Sequence, residues 1–134
     1  MHIISSEASF DAAHFLTNYN GKCKNIHGHR WRVIAEIKGE CDNGMLVDFG
    51  ILKNDIKALC DYFDHTFIVE DGSLKKELFD MLKEEFVLRV VNFRTTAENF
   101  SKYFFDELKK KGYDVYSVSV YETPNNKAEY RIWK

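Results

Sequence analysis

Between residues 30 and 39 the chain alternates, with Ile34 as the one apolar residue on the polar parity. Trp31, Val33, Ala35 and Ile37 fall on one parity, and Arg30, Arg32, Glu36 and Lys38 fall on the other. A period of two predicts a strand with one buried face. Ile4, Ala8 and Phe10 share a parity across 2–12, which predicts a second strand. The period then lengthens. Phe49, Leu52, Ile56, Leu59 and Phe63 recur every three or four residues, predicting a helix over 49–62 capped by Asp48. Asp42-Asn43-Gly44, ahead of it, reads as a turn. Leu74, Leu78, Leu82 and Phe86 predict a shorter helix over 74–86 with those four inward. Leu88 to Phe93 is a brief apolar stretch, a short strand or a buried connection.

Thr95-Thr96-Ala97-Glu98 reads as a capping box, with Thr95 as the cap and Glu98 reaching back. The helix it opens runs over 96–111, stops at Gly112 and turns Ala97, Phe100, Phe104 and Leu108 inward. Residues 114–122 and 127–133 then form a hairpin about Thr123-Pro124-Asn125-Asn126. The order strand, strand, helices, strand, strand predicts an α+β fold, an antiparallel sheet with helices on one face.

Length narrows this to one domain over 1–134. A net charge of −2 from 19 basic and 21 acidic residues, well mixed, predicts no nucleic-acid or membrane surface. No apolar run approaches the roughly 20 residues of a membrane span. The first residues, Met1 to Glu7, lack the charge and apolar length of a secretory signal. Three cysteines without a small-scaffold pattern read as reduced thiols. Together these predict a cytoplasmic protein. The aromatic content of 15% suits a packed core and a pocket for a flat ligand.

Three of the five histidines crowd into one short stretch: His14, His27 and His29. His27 and His29 are two apart, so on a strand both point to one face and can reach one ion. His14 can complete the set from a neighbouring strand. Neutral imidazole is a strong zinc ligand, and catalytic zinc keeps three protein ligands and an open position. Cys23 is then either a fourth ligand or a free thiol beside the metal. The plain alternative for His27-Gly28-His29 is a chance triplet in a turn, where Gly28 fits well.

Asp64-His65 pairs a carboxylate with an imidazole, which can fix the tautomer and raise basicity. Its plain alternative is a polar turn after the first helix. Glu122 shares parity with Val118 and Val120 and so points to the apolar side, where a carboxylate is costly unless paired or bound to a ligand. There it can accept two hydrogen bonds from the amidine-like edge of a heterocycle. The plain alternative is an exposed strand end beside Pro124.

Taken in order, six segments resemble the 6-pyruvoyl-tetrahydropterin synthase family. They are F-D-A-A-H at 10–14, C-K-N-I-H-G-H at 23–29, M-L-V-D-F at 45–49, D-H at 64–65, T-A-E-N at 96–99 and Y-E-T at 121–123. The resemblance spans nearly the whole chain. It is nearest to the bacterial and archaeal 6-carboxy-tetrahydropterin synthases of queuosine biosynthesis, because three residues separate Cys23 from His27 where the pyruvoyl branch has a longer gap. The resemblance implies a tunnelling fold, with four antiparallel strands bearing helices on one face. Such sheets join edge to edge into a barrel, as trimers or hexamers. It implies zinc on His14, His27 and His29, with Cys23 as catalytic thiol and Asp64 and His65 as its partners in proton transfer. It implies Glu122 as the anchor of the pterin ring, and Thr95 and Thr96 as contacts to ligand bound mainly by another subunit.

The implied reaction is zinc-dependent conversion of 7,8-dihydroneopterin triphosphate to 6-carboxy-5,6,7,8-tetrahydropterin, with release of acetaldehyde and triphosphate. The alternatives are the sibling pyruvoyl synthase, a structural zinc module closed by Cys23, and a pterin-binding protein without turnover. Two departures stand out. Arg94-Thr95 replaces the proline often found before T-A-E-N, and Thr66 to Glu70 is looser than the usual asparagine-bearing segment.

Overall fold

The computed structural model describes residues 1–132. Two long strands, β1 (His2–His14) and β2 (His27–Gly39), pair antiparallel along their full length, from His2 opposite Gly39 to His14 opposite His27. Both extend further toward the connecting loop than the alternation alone predicts, so His27 and His29 lie on β2 itself. Gly28 is therefore a strand residue and not a turn.

Helix α1 (Phe49–Asp61) begins where expected, with the Asp48 carboxylate accepting from the backbone N–H of Gly50 and Ile51. Strand β3 (Thr66–Glu70), helix α2 (Lys76–Glu85) and strand β4 (Leu88–Val91) follow. Helix α3 (Ala97–Lys110), strand β5 (Val115–Thr123) and strand β6 (Asn126–Tyr130) complete the chain.

The sheet has six strands, in the order β4-β3-β1-β2-β5-β6, and not the expected four. The antiparallel four are β1, β2, β5 and β6; β3 and β4 join them through parallel pairing. β3 escaped the sequence pattern because Phe67-Ile68-Val69 is a short run buried on both faces, which shows no alternation. β3 meets β1 only at Ala12 and Ala13, so the stretch of β1 before them has a sheet neighbour on one side only.

The expectation for α2 fails. No residue of this helix is buried, and Leu78 and Phe86 are exposed. It connects β3 to the edge strand β4, at the margin of the sheet and away from the core between the sheet and helices α1 and α3. Trp133 of the expected terminal strand lies outside the described residues, and β6 ends at Tyr130.

The core lies between the sheet and the helices α1 and α3. Phe10, Trp31, Val33, Val118 and Val120 meet Leu52, Ile56, Phe100 and Phe104 there. Phe100 is fully buried, with ring centroids 5.0 Å from Trp31, 5.5 Å from Phe63 and 5.2 Å from Phe93. Its removal leaves a void that these rigid rings cannot collapse into. Phe100→Ala is expected to lose about 3–5 kcal/mol of stability, read from denaturant unfolding. A loss under about 1 kcal/mol would show that the aromatic cluster repacks.

Candidate metal centre

The core face of the sheet runs on toward the β1–β2 loop. Beyond Phe10 and Trp31 the same parities carry Ala12 and His14 on β1 and His29 and His27 on β2. Apolar alternation thus delivers three imidazoles to one spot. The Trp31 ring forms the floor, edge-on to His14 at 4.8 Å and to His29 at 5.7 Å between centroids. β5 brings Glu122 on the parity of Val118 and Val120, as the sequence predicts, and its Oε1 lies 3.2 Å from both His14 Nε2 and His29 Nε2.

Ligand atoms of His14, His27, His29 and Glu122 all lie within 4.8 Å of one another. The three Nε2 atoms are buried and none makes an aligned hydrogen bond. Buried polar atoms without partners are rare and expensive, so three facing one point suit a bound cation.

The other ring nitrogens explain why these atoms stand ready. His14 Nδ1 lies 2.9 Å from Thr95 Oγ1, and that hydroxyl donates its own proton to the Phe15 carbonyl at 3.2 Å. Thr95 therefore accepts from His14, which fixes the proton on Nδ1 and leaves the Nε2 lone pair free. His27 Nδ1 donates to the Asn25 carbonyl at 2.7 Å, with the same result. Burial pushes the His29 pKa below its ordinary value, outweighing the nearby Glu122 carboxylate, and so favours the neutral ligand form. Neutral imidazoles and an ionised carboxylate are the forms a metal needs. The residues present fit a metal ion.

Thr95 was expected to cap α3, and it does not. Thr96 is the cap: its hydroxyl accepts from the Asn99 N–H at 3.1 Å. The cap sits one residue later than read and is not a reciprocal box, because the Asn99 side chain donates to the Arg94 carbonyl at 2.9 Å and so does the Thr96 N–H at 2.8 Å; Thr95 is thus free to turn inward. It is almost fully buried. No sequence rule pairs residues 14 and 95, so this contact was invisible before the fold. Thr95→Val removes the acceptor while keeping the shape. It is expected to weaken metal binding about 10–100-fold in a chelator competition, and Thr95→Ser should restore most of the loss. Equal affinity in all three proteins would show that Thr95 does not orient His14.

Asp64 and His65 sit on the turn between α1 and β3 and do form a pair. Their side chains meet at 2.8 Å, from His65 Nδ1 to Asp64 Oδ2. Neighbours on a regular element could not meet this way, and His65 manages it with φ of 58°. The turn is moored to β1. Asp11 N–H donates to Asp64 Oδ1 at 2.8 Å, and His65 N–H donates to the Asp11 carbonyl at 2.6 Å. The Asp11 N–H, then His65, hold the Asp64 carboxyl below the usual range. His65 is exposed and shares an open groove of about 380 Å³ with His29 and Arg30.

Cys23 lies half-buried on a 3-10 turn (Lys22–Lys24) within the β1–β2 loop and outside the four-residue ligand group. Its carbonyl accepts from Leu16 N–H at 2.7 Å. Arg94, standing where proline was expected, donates from Nε to the Thr17 carbonyl at 3.0 Å. That bond ties the loop to the segment before α3. A cavity of about 670 Å³ opens beside the centre, with His29, Glu122, Tyr121 and Pro124 in its wall and Arg30, Arg32, Lys53 and Lys57 around it. No helix among the described residues is long and apolar enough to cross a membrane.

Comparison with known proteins gives one consistent result. The family model described as 6-pyruvoyl tetrahydropterin synthase matches residues 3–132. The chain is 34% identical to the 6-carboxy-5,6,7,8-tetrahydropterin synthase of Haemophilus influenzae, over 98% of this chain and 99% of that protein. Its fold is similar to the Plasmodium falciparum 6-pyruvoyl tetrahydropterin synthase, with a TM-score of 0.75 and 24% identity, covering 99% of this chain and 98% of that one. The Caenorhabditis elegans 6-pyruvoyl tetrahydropterin synthase gives a TM-score of 0.70 at 28% identity, with coverages of 99% and 98%.

Proposed function

The chain belongs to the 6-pyruvoyl tetrahydropterin synthase family, which makes the tunnelling fold its architecture, and on that premise we propose that it converts 7,8-dihydroneopterin triphosphate to 6-carboxy-5,6,7,8-tetrahydropterin. Acetaldehyde and triphosphate are the other products, and queuosine precursor synthesis is the setting. His14, His27 and His29 hold zinc, which when bound supplies Lewis acidity toward side-chain oxygens of the substrate.

The rest of the chemistry is assigned to this chain's own groups. Cys23, as thiolate, takes the proton from the substrate's side-chain carbon. His65 moves a proton on the opposite side of that chain, its Nδ1 proton held by ionised Asp64 so that Nε2 faces outward. Glu122 accepts the amino and ring N–H donors of the pterin and sets its register, since a small misplacement costs much rate. Thr95 serves His14, and Thr96 is left as the ligand contact of that pair.

One observation supports this above the others. Three buried Nε2 atoms converge, two of them under tautomers fixed at Nδ1, while the Cys23 thiol is not among the converging ligand atoms. A structural site closed by cysteine would have drawn that thiol in. The sibling pyruvoyl reaction is disfavoured by the three-residue spacing from Cys23 to His27 and by the carboxy-synthase names of the relatives. The one-sided stretch of β1 and the outer edge of β6 suit pairing with further copies in a barrel.

The test is incubation of the zinc-loaded protein with dihydroneopterin triphosphate and mass analysis of the products, with light scattering on the active fractions. The carboxy product with acetaldehyde, from a trimer or larger, is expected. A pyruvoyl product without acetaldehyde would reassign the reaction to the sibling enzyme. No turnover with zinc bound would overturn the enzymatic reading.

A further inference from the structure

We propose that Glu122 is the fourth ligand of the metal while the pterin site is empty, and that pterin binding draws it off the ion. This rests on the function proposed above and adds a second role for the same carboxylate.

The argument begins with protons. His14 carries its proton on Nδ1, committed to Thr95, so its Nε2 has only a lone pair to present. Glu122 Oε1 also presents only lone pairs, and it lies 3.2 Å from that nitrogen. Two acceptors at this separation repel unless a proton or a metal cation lies between them. The same oxygen is 3.2 Å from His29 Nε2. Four tetrahedral ligands held at about 2.0–2.1 Å from one ion are separated by about 3.3–3.4 Å. The spacing of Glu122 to both imidazoles is therefore that of a coordination-shell neighbour.

Position on the strand explains how one group reaches both. Glu122 is the next core-facing residue after Val120, near the end of β5, and its side chain is 27% exposed. It closes one side of the histidine cluster and also lines the 670 Å³ cavity. A flat heterocycle there would offer its amino and ring N–H donors to this carboxylate. Glu122 cannot give full hydrogen bonds to that edge and stay centred on the ion.

The two uses compete, and the competition couples the sites. A pterin takes the carboxylate and leaves one metal position vacant. Only a pterin whose side chain carries oxygens can refill it. By linkage, a pterin without such a chain must loosen the metal by the same factor that the metal loosens the pterin. The open position that catalysis requires is thus made by the correct substrate and closed to other ligands in its absence.

The experiment is a chelator competition on purified full-length protein, with Co(II) absorption as a second reading. Wild type, Glu122→Gln and Glu122→Asp are compared alone, with 2-amino-4-oxopteridine, and with neopterin, whose side chain bears hydroxyls. Glu122→Gln is expected to bind metal at least about tenfold more weakly than wild type, and Glu122→Asp to fall between. The side-chain-free pterin should loosen metal in wild type and shift its Co(II) bands, with no such effect in Glu122→Gln. Neopterin should shift the bands without loosening the metal. The wild-type arm involves no substitution and so does not depend on any variant folding.

Equal metal affinity and equal Co(II) spectra in wild type and Glu122→Gln would overturn the ligand role. If Glu122→Gln then still loses pterin affinity, the anchoring function stands without it. If Glu122→Gln loosens metal but pterin affinity is unchanged, the carboxylate is a ligand only, and both the release and the anchoring reading fall.

Discussion

Cys23→Ala is expected to lose about 10²–10⁴-fold in turnover, the range for removal of a positioned general base, while keeping its full metal content. The thiol stands outside the four-residue ligand group, so the ion does not need it. The loop that carries it is held by other bonds, from Leu16 N–H to the Cys23 carbonyl and from Arg94 to the Thr17 carbonyl. The first of these is a backbone bond that alanine leaves in place.

The other thiols do not substitute for it. Cys60 is on the buried face of α1, and burial pushes its thiol up to about 12, so it stays protonated and inert. Cys41 lies past the far end of β2, beside His2, away from the metal centre. The measurements are steady-state turnover and metal analysis on the same preparation. Loss of metal together with the thiol would make this a closed structural site.

His27→Ala and His14→Ala are each expected to reduce bound metal from about one per chain to near none after desalting. Three imidazoles are the nitrogen ligands proposed above, and both substituted positions have their proton fixed on Nδ1 by a specific acceptor. His27 is the cleaner test, because it is half-buried, whereas His14 is fully enclosed against Trp31 and its removal also opens a void. Binding to the native state alone raises stability with metal concentration. The wild-type melting temperature should therefore rise on adding zinc, and that of His27→Ala should not. Full metal content in both variants would mean the ion, if any, binds elsewhere.

The long strands were legible because one face of each is buried along most of its length, which writes a period of two into the residues. The same parity rule found the site. It put His27 with His29, and Glu122 with Val118 and Val120, on one face. Helix α1 was legible through its apolar stripe and Asp48. Strand β4 showed as the short apolar stretch from Leu88, but β3 did not, since Ile68 and Val69 are buried on opposite faces and such a strand alternates in nothing. For α2 the period was right and the inference wrong: amphipathic spacing tells which residues align, and not whether anything lies against them.

The Thr95 contact lay beyond reach for another reason. A threonine pair before a helix offers two equivalent caps, and only the packed fold decides which hydroxyl turns inward. Asp64-His65 was legible as a pair, but its geometry depends on a left-handed backbone at a histidine, which no pattern announces.

The residues around the metal centre are unevenly spread along the chain. All three imidazoles fall within the first 29 residues, on two strands joined by a single loop. Thr95 and Glu122 come from the last third. A chain made from its N-terminus displays three histidines long before either of these exists. Until α3 has docked, no hydroxyl holds the proton on His14 Nδ1, and until β5 has paired with β2, no carboxylate faces Nε2. The four candidate ligand atoms, and the hydroxyl that orients one of them, come together only when the two ends of the chain have met.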